Sequence, residues 1–314
     1  MKTENPWGGL SRPGVGELSA KRADAAHPFD FFHALNHDGQ LMLILRLKSA
    51  SIEHRKLPRL KGLKVQWTSN SSSLQLILAE SRDVDLFTLI CKDLMRTTFS
   101  AGSDIDCLES LCTRLLKWQR LLSKGGPRLL SEQEIRGLFA ELIFFQEELL
   151  PRLGPDALGA WKGPSGFPQD FTVDDKVFEI KSHLVGSPQT IRISSTAQLW
   201  VESADLFLCV YHLAEHLTGG RSLASLINNI ATALSSWSSA VEEFEEKLAS
   251  LGYLEMPEYH SREFSIIQRD TFIVSGGFPR ITPFDVRSGI SEVNYGIQLA
   301  ALYPFQTTLD WSDA

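Results

Sequence analysis

Asp170 and the triplet Glu179-Ile180-Lys181 are the residues whose types and spacing could do chemistry. Side chains alternate faces along a strand, so Glu179 and Lys181 point one way and Phe178 and Ile180 point into the opposite, apolar layer. If Asp174-Asp175 forms a two-residue hairpin loop, Val173 pairs with Lys176, and three steps farther out Asp170 stands opposite Glu179. Directly opposed side chains on one face are about 5 Å apart at Cβ, and two carboxylates that close repel. A divalent cation reverses the sign of that interaction. Hard oxygen ligands favour Mg²⁺, which takes one or two carboxylates together with substrate phosphate. Lys181, one strand step away, could position a water for attack on phosphorus and stabilise the negative charge that develops. A three-residue loop would shift the pairing and spoil the opposition. On a solvated strand the same E-x-K would be no more than a weak surface ion pair.

Around this triplet the chain resembles the PD-(D/E)XK nuclease superfamily, whose fold runs helix, β-meander carrying Asp…(Asp/Glu)-x-Lys, helix, strand. The segments Gly137–Leu142, Asp170-Phe171, Glu179–Lys181 and Ser194–Leu199 are similar to one branch, the prokaryotic PD-(D/E)XK motif proteins of phage-defence loci. Gln169 separates Pro168 from Asp170, so the literal Pro-Asp is absent. The resemblance implies a restriction-endonuclease-like α/β core, a mixed sheet flanked by helices, that hydrolyses DNA with Mg²⁺, Mn²⁺ being a substitute. Products would carry 5′-phosphate and 3′-hydroxyl ends. Asp170, Glu179 and the Ile180 carbonyl would hold the metal, and Lys181 would position the water. Glu141 would be an assisting carboxylate or a ligand of a second metal, and Gln198 would contact the water or a phosphate. Glu141 could equally be a partnered structural carboxylate, since an ionised group in the apolar helix GLFAELIFF needs one, and Gln198 could be plain helix surface. The implied partners are DNA, other defence-system subunits and a second copy of the chain.

The elements that must position these residues are read from periodicity and turn chemistry. Ser131 with Glu134 forms a capping box that opens a helix running to Leu150 and stopped by Pro151. Strands are expected at Phe171–Val173, Val177–Lys181, Ile191–Ser194 and Asp205–Tyr211, with a helix over Ser195–Val201 between the last two. Helices at 222–235 and 238–250 and strands at Phe264–Val274 and Val293–Ala300 complete this part. Before it, residues 1–27 read as a loose arm. Leu41–Leu47, Leu63–Thr68 and Leu74–Ala79 read as strands, and 84–99 and 105–122 as helices. Lys124-Gly125-Gly126-Pro127 marks a break. Two domains follow: an N-terminal α+β region over 1–126 and a nuclease-like domain with a C-terminal extension over 127–314.

Charge is uneven. The net charge is −7, yet residues 1–130 carry 19 Lys and Arg against 13 Asp and Glu, residues 131–235 carry 7 against 13, and residues 236–314 carry 5 against 12. The basic stretch Arg46–Lys64, with Lys48, Arg55, Lys56, Arg59 and Lys61, is either a phosphate-tracking loop or a solvated connection. Glu242, Glu243, Glu245 and Glu246 form a solvated helix face or a partner surface. His212-Leu213-Ala214-Glu215-His216 matches H-x-x-E-H, the pattern of a zinc peptidase, but little helix is available around it. His33 and His37 have helical spacing at a helix end. Cys91, Cys107, Cys112 and Cys209 form no C-x-x-C and read as reduced core thiols. No signal peptide, membrane span or nucleotide-binding glycine loop is read, which points to a cytoplasmic protein. The competing functional reading is a DNA-binding or assembly subunit that does not cut.

Overall fold

The computed structural model describes residues 5–48, 57–79, 83–123, 130–216 and 218–311. The chain separates into two compact units, Met1–Leu129 and Leu130–Ala314. The break expected at Lys124–Pro127, and Arg55 and Lys56 of the basic stretch, lie outside the described residues.

The first unit is an antiparallel sheet with two helices. Its strands are β1 (Leu18–Arg22), β2 (Asp30–Asn36), β3 (Leu41–Arg46), β4 (Leu63–Thr68) and β5 (Ser73–Leu78), in the order β1-β2-β3-β5-β4. The segment expected to be a loose arm contributes an edge strand, and Trp7 within it is buried against Phe87, ring centroids 5.2 Å apart. His33 lies on β2 and His37 in the turn after it, so their spacing is not helical. Helices α1 (Val84–Thr98) and α2 (Asp104–Ser123) are tied together by a buried carboxylate. Asp93 receives Arg114 through Nε at 2.6 Å and a second guanidinium nitrogen at 2.9 Å, Trp118 Nε1 at 2.8 Å and Arg96 at 2.6 Å.

The second unit opens with α3 (Glu132–Phe144), started by the expected capping box at Ser131 and Glu134. Pro151 does not stop this helix. A π turn at Phe145–Leu149 leads into α4 (Leu150–Leu153), which contains the proline. Proline lacks an N–H and crowds the preceding turn, and the wider turn just before it accommodates both defects. After the short α5 (Ala157–Ala160) come β6 (Phe171–Val173) and β7 (Lys176–Leu184), then β8 (Thr190–Ile193) and β9 (Asp205–His216). They are followed by β10 (Arg221–Ser222), α6 (Leu223–Ala233), α7 (Ser238–Ser250), β11 (Glu263–Ile273), β12 (Tyr295–Gln298) and β13 (Gln306–Thr307). The main sheet has the order β10-β11-β9-β7-β6, with β13 on β11, while β8 and β12 pair separately. β7 and β9 run parallel and the other pairs antiparallel, which makes the sheet mixed.

Each face of this sheet is closed by apolar packing. Phe178 of β7 and Phe171 of β6 meet Phe144 of α3 at 5.0 and 5.1 Å between ring centroids. On the other face Val177, Leu208, Val210 and Phe272 pack against Ile191, Ile193, Leu199 and Ile297. The architecture is α/β of the restriction-endonuclease-like kind. The helix expected over Ser195–Val201 is absent. That segment is a pair of tight turns, with Gln198 N–H bonded to Ser195 O and Trp200 N–H to Ala197 O, both at 3.3 Å. β9 extends five residues past Tyr211 and takes H-x-x-E-H into the sheet. His212 and His216, four residues apart on an extended strand, stand roughly 13 Å apart along it, too far to share one zinc ion.

Candidate active site

The β6–β7 hairpin is built on the two-residue loop Asp174-Asp175. Asp174 takes φ 49°, a left-handed conformation that Asp tolerates better than most residues. Phe171 then pairs with Phe178, Thr172 with Val177 and Val173 with Lys176. One step beyond, the ladder becomes irregular. The Asp170 N–H reaches the Phe178 carbonyl at 3.1 Å, and the Ile180 N–H donates to Asp170 Oδ2 at 2.7 Å. The Asp170 side chain thus takes over as acceptor where the strand's backbone turns away.

Glu179 is fully buried. It shares its face with Val177, and the parallel register sets it beside Leu208 of β9. Lys181 Nζ lies 2.6 Å from Glu179 Oε1, yet neither oxygen of Glu179 accepts a well-aligned hydrogen bond among the described residues. Lys181 Nζ also donates to Gln198 Oε1 at 3.3 Å, and that oxygen accepts the Ser194 N–H at 2.8 Å. Gln198 therefore holds the lysine from the crossing segment between β8 and β9. Glu141 enters from α3, and Trp161 Nε1 donates to its Oε2 at 3.0 Å. A single point beside Gly163, where a Cβ would stand, is 3.4 Å from Asp170 Oδ1 and 3.6 Å from Glu141 Oε2. The absence of a side chain there lets these two carboxylates converge. All five predicted side-chain positions, with Ile180, line one cavity of about 410 Å³.

The electrostatics follow from packing three acids around one base. Burial, reinforced by Asp170, holds Glu179 well above the usual carboxylate range against the pull of Lys181. Glu141 is pushed up to about 8 by burial and by Asp170, with the Trp161 hydrogen bond opposing. Asp170 is pushed up to about 6 by burial, although Lys181 and the Ile180 N–H favour its charged form. Burial alone would lower Lys181, but Glu179 and Asp170 outweigh it and raise its pKa. Among the described residues no three His, Cys, Asp or Glu side chains are gathered at metal-ligand spacing. The set nevertheless suits a hard divalent cation: the two buried Glu179 oxygens, approached by Lys181 alone, the Asp170 carboxylate and the Ile180 carbonyl are oxygen donors whose mutual repulsion a cation would relieve.

Over residues 3–300 the sequence matches the family DUF4420, described as "Putative PD-(D/E)XK family member". The chain belongs to that family. No curated protein and no solved structure matches the chain. Membership links the chain to the nuclease superfamily, and no helix among the described residues is long and apolar enough to cross a membrane.

Sequence reasoning missed several residues that build this site. Gln169, the residue that interrupts Pro-Asp, sends Nε2 to Ala197 O at 2.5 Å and to Trp200 O at 3.0 Å. It fastens the Asp170 loop to the turns that carry Gln198. Lys247 Nζ donates to Trp161 O at 3.0 Å and Ser250 Oγ to Pro164 O at 2.9 Å, so α7 anchors the loop bearing Trp161 and Gly163. Its acidic residues Glu242, Glu243, Glu245 and Glu246 form the exposed face of that helix. The only advance signal was an amide side chain next to the motif and a lysine on an otherwise acidic helix.

Proposed function

We propose that this protein is a metal-dependent DNA endonuclease, with Mg²⁺ or Mn²⁺ as cofactor, acting in bacterial restriction or anti-phage defence. The observation that carries the reading is the fully buried Glu179 carboxylate, with two further carboxylates gathered around it and Lys181 as their shared cation. Asp170, Glu179 and the Ile180 carbonyl would hold the cation. When bound, the cation would supply charge stabilisation to the phosphodiester undergoing attack. Lys181 keeps its proton under the influence of Glu179 and Asp170 and offers an N–H to the attacking water or to a phosphate oxygen. Gln198 fixes the lysine's direction. Glu141, pushed up to about 8, can carry a proton at neutral pH and take part in proton transfer, a role favoured by a pKa near the working pH. The defence role rests on the sequence resemblance.

A nuclease assay with Mg²⁺ or Mn²⁺ on plasmid and linear DNA tests the reading. Cleavage by wild type and its loss in Glu179→Ala and Lys181→Ala are expected; equal cleavage by all three proteins would refute the site. A second reading has one observation in its favour. The Glu179–Lys181 pair at 2.6 Å already neutralises the site internally, as would suit a subunit that binds or assembles on DNA without cutting. DNA binding with no cleavage under any metal would select it.

A further inference from the structure

One buried polar cluster is left unused by this chemistry. His183 is 4 % exposed, stands on β7 two residues beyond Lys181 on the same face, and lines the same cavity. The parallel register places it beside His212 of β9. The two Nδ1 atoms face each other at 3.2 Å. His212 Nε2 lies 2.9 Å from Asp270 Oδ2 on β11, and His183 Nε2 lies 3.2 Å from Pro188 O. Asp270, 3 % exposed, also accepts from Gln268 Nε2 at 2.8 Å and from Gln306 Nε2 at 3.1 Å.

Hydrogen-bond accounting sets the protons. The Pro188 carbonyl can only accept, so His183 Nε2 carries a proton. Ser187 Oγ spends its own proton on Leu184 O at 2.6 Å and leaves a lone pair 3.3 Å from the same Nε2. Asp270 accepts from both glutamine amides, so the His212 Nε2 that faces it carries a proton as well. Two bare Nδ1 lone pairs at 3.2 Å would repel and two N–H groups would collide, so one proton lies between them. Four ring nitrogens then hold three protons, and the positive charge is balanced by the Asp270 carboxylate. Buried polar groups persist when every member of such a network is satisfied.

We propose that His183, His212 and Asp270 form a proton-sharing triad that fixes Pro188 and, through β8, positions Lys181. The chain of contacts runs from His183 to Pro188, along Thr190–Ile193, to the Ser194 N–H on Gln198 Oε1, and from Gln198 to Lys181 Nζ. His183 is thus a positioning residue. Its effect on turnover rests on the nuclease reading, whereas the proton count does not.

Imidazole ¹⁵N spectra of the full-length protein at neutral pH, with metal analysis of the same sample, give the count directly. Three protonated nitrogens and a coupling across Nδ1–H···Nδ1 are expected. Asp270→Asn should lower the count to two, because an amide can donate to His212 Nε2. Two protons in the wild type, or stoichiometric metal bound by both Nδ1 atoms, would overturn the triad. For positioning, the double variant His212→Phe/Asp270→Leu leaves no carboxylate buried alone, and His183→Ala leaves His212 paired with Asp270. In whichever is shown folded by thermal melting, kcat should fall about tenfold with KM little changed, the mark of a misplaced catalytic group. Unchanged kcat in a folded variant would overturn the positioning role. A wild type that cuts no DNA would remove the nuclease reading and leave the proton count to be judged alone.

Discussion

Two buried carboxylates, one in each unit, carry opposite fates. Asp93 sits between α1 and α2 with a paired guanidinium fork, a second arginine and an indole N–H on its two oxygens. Glu179 is as deeply enclosed, but its one cation is shared with Asp170 and Gln198, and no well-aligned donor meets it among the described residues. A satisfied buried acid is a strut. An unsatisfied one among like charges costs stability unless something else arrives to bind it, and that is the mark of a site.

The largest effects should come from breaking each in turn. Asp93→Ala strands Arg114 in the interior and should destabilise the first unit by about 3–5 kcal/mol, seen as a lower midpoint in urea followed by Trp118 fluorescence. Lys181→Ala takes away the one cation beside Glu179 and Asp170, so it should cut nuclease turnover about 10²–10³-fold and lower the stability of the second unit as well. Isosteric neutralisation sharpens the contrast. Glu179→Gln removes a repelling charge and should stabilise the apo protein by on the order of 1 kcal/mol, whereas Asp93→Asn should destabilise it; thermal melts of the two variants decide.

The third test uses protons and metal. Glu141 sits at about 8 when folded against an ordinary 4.5, and Asp170 at about 6 against 3.8. The folded state therefore binds more protons than the unfolded state across those windows. Stability from these groups is complete below the lower values and is lost as pH rises towards 6 for Asp170 and 8 for Glu141. The apo melting temperature should fall over that range, and Glu141→Gln should flatten the upper part. Saturating Mg²⁺ at pH 8 should restore stability, by about 2.7 kcal/mol at a hundred times Kd. A melting temperature that ignores both pH and metal would end the contrast with Asp93. The smallest effect belongs to Gln169→Ala, which should lower kcat about tenfold by loosening Gln198 and move the melting temperature little.

The hairpin and the capping box were legible because local chemistry decides them: alternation, a two-residue Asp-Asp turn, and a serine three residues before a glutamate. The crossing segment was not. Ser195–Val201 has a plausible helix start, but its turns are held by Gln169, a side chain about 30 residues away. The depth of Glu179 was equally hidden, since E-x-K looks amphipathic until β9 lies parallel beside it. H-x-x-E-H misled in the same way. Its spacing is chemically suggestive only on a helix, and the sheet claimed it instead. Pro151 was misjudged because a π turn upstream can absorb what a proline removes.

The parallel pairing of β7 with β9 has a last consequence. Lys176 begins β7 opposite Asp205, the first residue of β9, so after β7 ends at Leu184 the chain must travel back across the sheet. Such a return is usually a helix. Here it is a strand followed by turns, and it passes over the face that bears Glu179 and Lys181. The roof of the cavity and the return path are therefore one piece of chain. Moving that piece of chain aside would mean loosening the link that makes the two strands neighbours.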